Sequence, residues 1–316
     1  MKKIAIGIDI GGTNVKLGLV SPQGRILERM VFFTASVHGR EAMLDLLVCH
    51  IRDLTQIAKK KHAKIMGLGI GAPGPIDVER GFVYFFPNIS GWKNTRLKSM
   101  LEKRLKLKVS IDNDANVMAL AEVRFGAGKG FRNVIALTLG TGIGGGLVID
   151  GKLFHGSVYS AAEIGHIVIN ENGILCGCGS HGCVETYVGN DYLIKEVKRR
   201  LMTGRKSLLN SWIQEGKKLT PLLVRQAAER KDTFSIEVWK KTGEHLGTAL
   251  AGLVNTLNPE LIILGGGVAQ KNRFLFKSTA ETIKKKAFPI AARSVRVVPA
   301  TLGVDAGLIG AAALIF

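Results

Sequence analysis

Apolar and polar positions divide the chain into short strands that run into glycine-rich turns, and into longer helical stretches. The first apolar run, Ile4–Ile10, reaches Gly11-Gly12-Thr13 and is followed by a second apolar run. A similar segment begins at Val134 and turns at Gly140-Thr141-Gly142. Each segment ends in a turn signal, so this pattern predicts two β-hairpins with glycine turns.

The two hairpins also match each other in sequence. Gly11 aligns with Gly140, and Gly18-Leu19-Val20 aligns with Gly146-Leu147-Val148. This match predicts an internal duplication with two similar α/β lobes. Glycine lets backbone N–H groups approach a ligand closely, and such groups bind phosphate oxygens. We therefore favour a phosphate site at these turns over a purely structural role for the glycines.

Two further stretches predict helices near glycine-rich segments. Ile236–Leu257 is typical of a long helix that Asn258-Pro259 ends. The buried strand Leu261–Leu264 then leads into three glycines, 265–267, and a helix, which is the arrangement of a nucleotide-contacting turn. The segment 303–316 is rich in small residues and predicts a closely packed helix.

Polar residues cluster where one predicted strand meets a helix. The strand is Val109–Ile111 and the helix is Val117–Phe125, and the residues Asp112, Asn113, Asp114 and Asn116 lie between them. Ligand sites of α/β proteins form at such strand ends. A helix N-cap is the simpler interpretation of Asp114.

Three of the four cysteines fall within eight positions, at Cys176, Cys178 and Cys183. Their C-x-C-x₄-C spacing among glycines predicts a structural zinc site, with His166 or His181 as the fourth ligand. The sequence begins without the pattern of a signal peptide, so we expect a reducing cytoplasmic setting and no disulfides. Cys49 lies in an apolar helical pattern, and we expect it in the core.

Composition indicates a globular protein of about two domains. The chain has 316 residues, is 46% hydrophobic and has no apolar run suited to a membrane span. The net charge is +19. We interpret the basic runs as solvated faces of amphipathic helices rather than a nucleic-acid surface, with a field that attracts anionic substrates. These runs are 59–61, 103–108, 195–200 and 284–286.

Together these segments resemble the ROK family (repressor, open reading frame, kinase), which contains sugar kinases. The resemblance covers nearly the whole chain. The segments that carry it are Asp9-x-Gly-Gly-Thr13, Gly71-Ala-Pro-Gly-Pro75, Pro87-Asn88-x-x-Gly91-Trp92, Asn113-Asp114-Ala115-Asn116 with Glu122, Leu139-Gly-Thr-Gly142, Glu163-x-Gly165-His166, the cysteine cluster and Gly265-Gly-Gly267.

The resemblance implies an α/β fold of the two-lobed actin-like ATPase and sugar kinase (ribonuclease H-like) class, with an interlobe cleft. The small lobe is expected to comprise residues 1–114 with the C-terminal helix 303–316. The large lobe is expected to comprise 115–302, including a zinc-binding segment at 163–185. A homodimer is expected as well, and no specific partnership with nucleic acid or membrane.

The implied activity is phosphorylation of a hexose, with glucose as the first candidate, by ATP and Mg²⁺, with Asp114 as general base. Implied sugar ligands are Gly71, Asn88, Asn113, Asp114, Glu163, His166 and Glu185. Implied phosphate-binding residues are Asp9, Gly11, Gly12, Thr13, Asn14, Lys16, Gly140, Thr141, Gly142, Gly265, Gly266 and Gly267. The implied zinc ligands are His166, Cys176, Cys178 and Cys183, which selects His166 over His181.

Several alternatives stay open. The sugar can be N-acetylmannosamine, N-acetylglucosamine, fructose or allose, and the donor can be polyphosphate. A sugar-responsive repressor is disfavoured, because the first hairpin begins at Ile4 and we expect no helix-turn-helix domain before it. A sensor without catalysis is disfavoured by the presence of Asp114.

Overall fold

The computed structural model describes residues 1–37, 39–87, 89 and 91–316, which form a mixed α/β protein. The chain divides into two compact units. The first contains Met1–Gly130, Gly146–Ala162 and Thr301–Phe316, and the second contains Phe131–Gly145 and Glu163–Ala300. This division differs from a boundary at residue 114, because the helix that begins there packs within the first unit.

Strands and helices are numbered in chain order. The strands are β1 (Lys2–Ile10), β2 (Asn14–Val20), β3 (Ile26–Phe33), β4 (Ala63–Ala72), β5 (Ile76–Asp77), β6 (Phe82–Phe85), β7 (Lys93–Thr95), β8 (Val109–Asn113), β9 (Val134–Leu139), β10 (Ile143–Ile149), β11 (Lys152–Leu153), β12 (Leu261–Gly265) and β13 (Arg296–Pro299). The α-helices are α1 (Arg40–Lys60), α2 (Leu97–Leu105), α3 (Asp114–Phe125), α4 (Glu185–Val188), α5 (Asn190–Met202), α6 (Leu208–Gln214), α7 (Pro221–Glu229), α8 (Thr233–Leu257), α9 (Arg273–Lys286), α10 (Pro289–Ser294) and α11 (Ala306–Ala313). Short 3₁₀ helices cover Thr34–Ser36, Ile164–His166 and Gly303–Asp305.

Two five-stranded sheets repeat one topology. Their spatial orders are β3-β2-β1-β4-β8 and β11-β10-β9-β12-β13. In each sheet, the first strand of a hairpin is followed on its other side by two parallel strands. This repetition confirms the duplication predicted from the two glycine turns. A third sheet, of order β5-β6-β7, is antiparallel.

The C-terminal helix α11 packs closely against β1 and β4, because glycines in both strands leave room for its backbone. A Cβ atom added at Gly7 would lie 2.3 Å from the carbonyl oxygen of Leu308. One added at Gly69 would lie 1.8 Å from the carbonyl oxygen of Ala311. The helix expected over 303–316 is therefore present, and its contact with the sheet depends on small residues from both sides.

We expect Gly69→Ala to lower the free energy of unfolding by about 3 kcal/mol, because the new methyl group meets backbone that cannot rotate away. Gly252→Ala in α8 is a matched control, since a Cβ there meets nothing within 4 Å. That control should stabilise the helix by up to about 1 kcal/mol. Urea titration of both variants measures the difference, and equal stabilities would contradict the close packing.

The long helix predicted over 236–257 is confirmed as α8, and it begins three residues earlier. It ends where Asn258 adopts a left-handed conformation, with φ of 44°. The strand before the triple glycine is also confirmed, as β12. The helix α9 that follows starts only at Arg273, because Gly267–Lys271 form turns.

The prediction that Cys49 is buried is wrong. Cys49 lies on α1 but is exposed. The core face of α1 includes Leu47 and Ile51, and two residues of helix correspond to a rotation of about 200°. Cys49 lies two residues from each of them and therefore points away from the core.

The basic runs lie largely on helices, as the sequence predicts. They occupy the last turns of α1 and α9, where the helix dipole favours cations, and the body of α5. The run 103–108 extends beyond α2, which ends at Leu105. Among the described residues, no helix has the length and apolar character needed to cross a membrane.

Candidate active site and metal cluster

The junction of β8 and α3 places Asp114 at the first position of a helix. Asn113 is the N-cap, and its Oδ1 accepts hydrogen bonds from the N–H groups of Ala115 at 2.9 Å and Asn116 at 3.4 Å. The capping role suggested for Asp114 thus belongs mainly to its neighbour. The Asp114 carboxylate is exposed at the helix N-terminus and also accepts the Ala115 N–H, at 2.8 Å. The positive end of the helix dipole stabilises such a charge.

Asp9, Gly71 and Asp112 align across three neighbouring strands near their carboxyl ends. Asp9 pairs in register with Gly71 on β4, and Gly71 pairs with Asp112 on β8. A Cβ at Gly71 would lie 2.5 Å from Val117 Cγ2, so α3 approaches the strand closely here. The first unit therefore gathers these candidate groups at one sheet edge. Asn88, a predicted sugar ligand, lies outside the described residues.

The strand that leads into the first glycine turn carries a half-buried carboxylate with a lysine partner. Lys16 Nζ lies 3.3 Å from Asp9 Oδ2 and donates a hydrogen bond of 2.8 Å to the carbonyl oxygen of Val304. Burial raises the pKa of Asp9, and Lys16 partly offsets this effect. Next to this pair, Gly12 and Thr13 are exposed and Asn14 begins β2. The turn thus presents backbone groups beside a lysine ammonium, which suits a phosphate.

Asp112 is a buried carboxylate, and the sequence predicts no role for it beyond membership of the polar cluster. Its Oδ1 accepts hydrogen bonds from the Asn113 N–H at 2.7 Å and from Asn116 Nδ2 at 2.9 Å. Its Oδ2 lies 2.7 Å from Nε2 of His155. This hydrogen bond raises the pKa of His155. Sequence reasoning missed His155, because a single histidine distant along the chain carries no spacing signal.

In the second unit, the Gly140-Thr141-Gly142 turn is held by backbone and carboxylate contacts. The carbonyl oxygen of Gly140 accepts the Asn190 N–H at 2.9 Å. Glu185 Oε2 accepts the Ile143 N–H at 2.8 Å. A Cβ at Gly142 would lie 2.4 Å from the same glutamate oxygen. A side chain at position 142 would therefore displace the Glu185 carboxylate from this turn.

The triple glycine lies beside this hairpin in the second unit. A Cβ at Gly266 would lie 2.3 Å from the carbonyl oxygen of Leu139, and Gly266 has φ of 85°. The Val268 N–H donates to that same oxygen at 3.1 Å. Gly140–Gly142 and Gly265–Gly267 are thus brought together, as a shared nucleotide site would require.

His166, Cys176, Cys178 and Cys183 form a compact cluster in the second unit. Their ligand atoms all lie within 4.8 Å of one another. The Cys178 and Cys183 sulfurs are 3.7 Å apart, and Cys176 Sγ lies 3.6 Å from His166 Nδ1. A tetrahedral zinc with Zn–S bonds of about 2.3 Å separates two sulfurs by about 3.8 Å. The donors therefore fit zinc, and the histidine in the cluster is His166 rather than His181.

The pKa values of the three thiols in this cluster shift in different directions. Burial raises the pKa of Cys176, and it raises the pKa of Cys183 to about 12. A backbone hydrogen bond at Ser180 lowers the pKa of Cys178. At neutral pH the raised pKa values keep Cys176 and Cys183 as protonated thiols, and a bound zinc ion would displace their protons. The cluster can hold a metal, and its donor set is one that zinc prefers.

Three predicted sugar ligands meet at this cluster: His166 belongs to it, and Glu163 and Glu185 lie beside it. His166 directs Nδ1 at Cys176, while its Nε2 lies 4.0 Å from Glu163 Oε2. The second ring nitrogen therefore faces Glu163, which is well exposed. Glu185 Oε1 lies 3.9 Å from Cys176 Sγ, while its other oxygen binds the Ile143 N–H. Glu185 thus connects the cluster to the hairpin turn, a connection that the sequence does not indicate.

The family model that describes the ROK family matches residues 5–316, and the chain belongs to this family. The chain is 38% identical over 310 residues to a glucokinase of Halalkalibacterium halodurans, and the match covers 96% of this chain and 92% of the relative. The structure is also similar to that of a ROK family glucokinase from Streptomyces griseus in complex with glucose and AMPPNP. That similarity has a TM-score of 0.79 and 34% identity, and it covers 98% of each chain.

A ROK family transcriptional regulator, described as a homologue of the Escherichia coli Mlc protein, is similar as well. The TM-score is 0.90 at 26% identity, and the match covers all of this chain and 78% of the regulator. The resemblance inferred from the sequence, and the fold class that it implies, are thus confirmed.

Proposed function

We propose that this protein is an ATP-dependent glucokinase, which converts glucose and ATP to glucose 6-phosphate and ADP. The observation that carries this proposal is the exposed Asp114 carboxylate at the β8–α3 junction of a ROK family chain. The 38% identity to a glucokinase over nearly the full chain supports glucose as the sugar. Asp114 accepts the proton of the 6-hydroxyl as the oxygen attacks the γ-phosphorus.

The sugar is held by polar groups that replace the hydration of its hydroxyl groups. We assign this role to Gly71, Asn88, Asn113, Asp114, Glu163, His166 and Glu185. The exposed Glu163 beside His166 Nε2 supports the assignment, because both groups remain available to hydroxyls when Nδ1 is directed at the cysteines. Holding the hydroxyl in line with the phosphorus is the main contribution to rate.

The glycine turns bind the triphosphate through backbone N–H groups, and Lys16 contributes positive charge. These residues are Asp9, Gly11, Gly12, Thr13, Asn14, Lys16, Gly140, Thr141, Gly142, Gly265, Gly266 and Gly267. Mg²⁺ bound with ATP would supply positive charge to the phosphoryl oxygens. Asp9 is the carboxylate that would hold this ion through water.

We further propose that His166, Cys176, Cys178 and Cys183 hold a structural zinc ion. The sulfur–sulfur and sulfur–nitrogen distances of 3.7 and 3.6 Å support zinc. The zinc would stabilise the loop that carries Glu163 and His166. A reducing cytoplasmic setting keeps the thiols available as ligands. We also propose a homodimer, by analogy with the family.

A panel of sugars against two phosphate donors tests the proposed substrate. Glucose, N-acetylmannosamine, N-acetylglucosamine, fructose and allose are each assayed with ATP and with polyphosphate, and kcat/KM is compared. We expect glucose with ATP to give the highest value. A higher kcat/KM for an N-acetylated sugar would support the proposed kinase activity but would contradict glucose as its substrate.

The likeness to a transcriptional regulator raises sugar-responsive DNA binding as a second function. Binding to random and genomic DNA fragments at physiological salt tests this possibility, because nonspecific binding by a basic protein weakens steeply with salt. Sequence-selective binding that persists there, together with no release of ADP, would favour the regulator.

A further inference from the structure

We propose that His155 is a positioning residue for phosphoryl transfer: it holds the Asp112 carboxylate, which in turn orients the backbone that presents Asp114. The catalytic part of this inference rests on the glucokinase function proposed above. His155 itself is not assigned any contact with the sugar or with ATP.

A charge-assisted contact joins His155 to Asp112, which lies two residues before the proposed base, Asp114. His155 Nε2 and Asp112 Oδ2 are 2.7 Å apart, within the range of a strong hydrogen bond. The Asp112 side chain is 4% exposed, whereas that of His155 is 23% exposed. A carboxylate buried to this extent is costly unless its oxygens are bound. His155 supplies the partner of one oxygen, from the loop after β11.

The other Asp112 oxygen accepts hydrogen bonds from residues on both sides of Asp114. Oδ1 accepts the backbone N–H of Asn113 and the side-chain amide of Asn116. These two residues lie immediately before and two positions after Asp114. A rotation of the Asp112 carboxylate would therefore displace the end of β8 and the first turn of α3 together. Displacements of about 1 Å in catalytic geometry can cost about 10²-fold in rate.

The pair is also sensitive to pH. The hydrogen bond to Asp112 raises the pKa of His155 above its usual value, although partial burial opposes this effect. The ring is therefore protonated below that raised pKa, and the ion pair is lost as pH rises through it. The ionisable Tyr159 lies near the ring, with the two ring centroids 6.4 Å apart. Tyr159 in turn interacts with Asp77, Glu79 and Arg80.

Two substitutions at position 155 separate positioning from simple packing. His155→Ala removes the donor, and we expect kcat to fall by about tenfold or more while KM for ATP changes less than about twofold. His155→Gln keeps a donor without the charge. We expect the wild-type kcat to decline at alkaline pH as His155 loses its proton, and we expect His155→Gln to have an intermediate kcat at low pH without that decline.

His50→Gln is the matched control. His50 lies 3.9 Å from Asp53 in an i,i+3 pair on α1, and we expect that variant to keep the wild-type rate and pH profile. A His155→Ala variant with kcat within about twofold of wild type would overturn the proposal. So would a His155→Gln variant that keeps the alkaline decline, because a purely structural role leaves that limb in place.

An NMR titration tests the same pair without catalysis. In the wild type, the backbone amide signals of Asn113 and Ala115 should shift together with the titration of His155, and the His155 titration should move to lower pH in Asp112→Asn. Amide signals that do not follow His155 would overturn the positioning role. If the sugar panel shows no phosphorylation while these shifts occur, the glucokinase proposal fails and the coupling of His155 to the junction stands.

Discussion

Asp114→Asn is expected to lower kcat by ~10²–10⁴-fold or more while the fold survives, which is the range that general base catalysis contributes. The amide can still accept the Ala115 N–H, as the carboxylate does at 2.8 Å, but it cannot take a proton from a hydroxyl at neutral pH. Loss of the charge at the N-terminus of α3 should cost only about 0.3–1 kcal/mol. The variant should therefore be folded, bind sugar and turn over very slowly.

Coupled release of ADP measures kcat in this variant, and thermal unfolding shows whether it is folded. Glu41→Gln is a matched control, because it removes an exposed carboxylate from the first turn of another helix, α1. We expect the control to have wild-type kcat. If Asp114→Asn turned over at a near-normal rate, Asp114 would not be the general base, and another group at the β8–α3 junction would have to be considered.

The duplication and the main strands could be predicted from the sequence because both depend on local patterns. Glycine-rich turns between apolar strands are typical of hairpins, and the match of Gly11 to Gly140 corresponds to equivalent turns of two sheets. The cysteine cluster was predictable for a similar reason, since thiols at C-x-C-x₄-C spacing form a recognisable ligand set. The choice of His166 required the resemblance to a family, and the structure agrees with it.

Other features of the site depend on contacts that a sequence does not encode locally. Asn113 and Asp114 are both good capping residues, and only the backbone geometry assigns the cap to Asn113. His155 meets Asp112 across 43 positions, and Glu185 meets the Ile143 N–H across 42. The error at Cys49 has a different origin, because residue type was weighed there without the angular position on α1. Long-range pairing and helix orientation thus limit the prediction.

Cys178→Ser is expected to release zinc and to disorder the segment from Glu163 to Glu185. Structural zinc contributes about 10–16 kcal/mol of apparent binding free energy, which is coupled to local folding. A serine hydroxyl is a much weaker ligand than a thiolate, and the sulfur of Cys178 lies 3.7 Å from that of Cys183. Loss of the ion would release the ring of His166.

Sugar affinity should fall more than ATP affinity in this variant. His166 Nδ1 is directed at Cys176 and its Nε2 faces Glu163, so both proposed sugar ligands depend on the cluster. The Gly140-Thr141-Gly142 turn retains support from Asn190, whose N–H binds the Gly140 carbonyl oxygen. The comparison is between KM for glucose and KM for ATP, with metal content measured on the same samples.

Cys49→Ser is the matched control for the cysteine substitution, because Cys49 is exposed on α1 and takes no part in the cluster. It should keep one zinc per chain and both KM values. Purified wild-type protein without zinc would contradict the proposed metal site. Loss of the metal in Cys178→Ser without any change in KM for glucose would show that the cluster does not position Glu163 and His166.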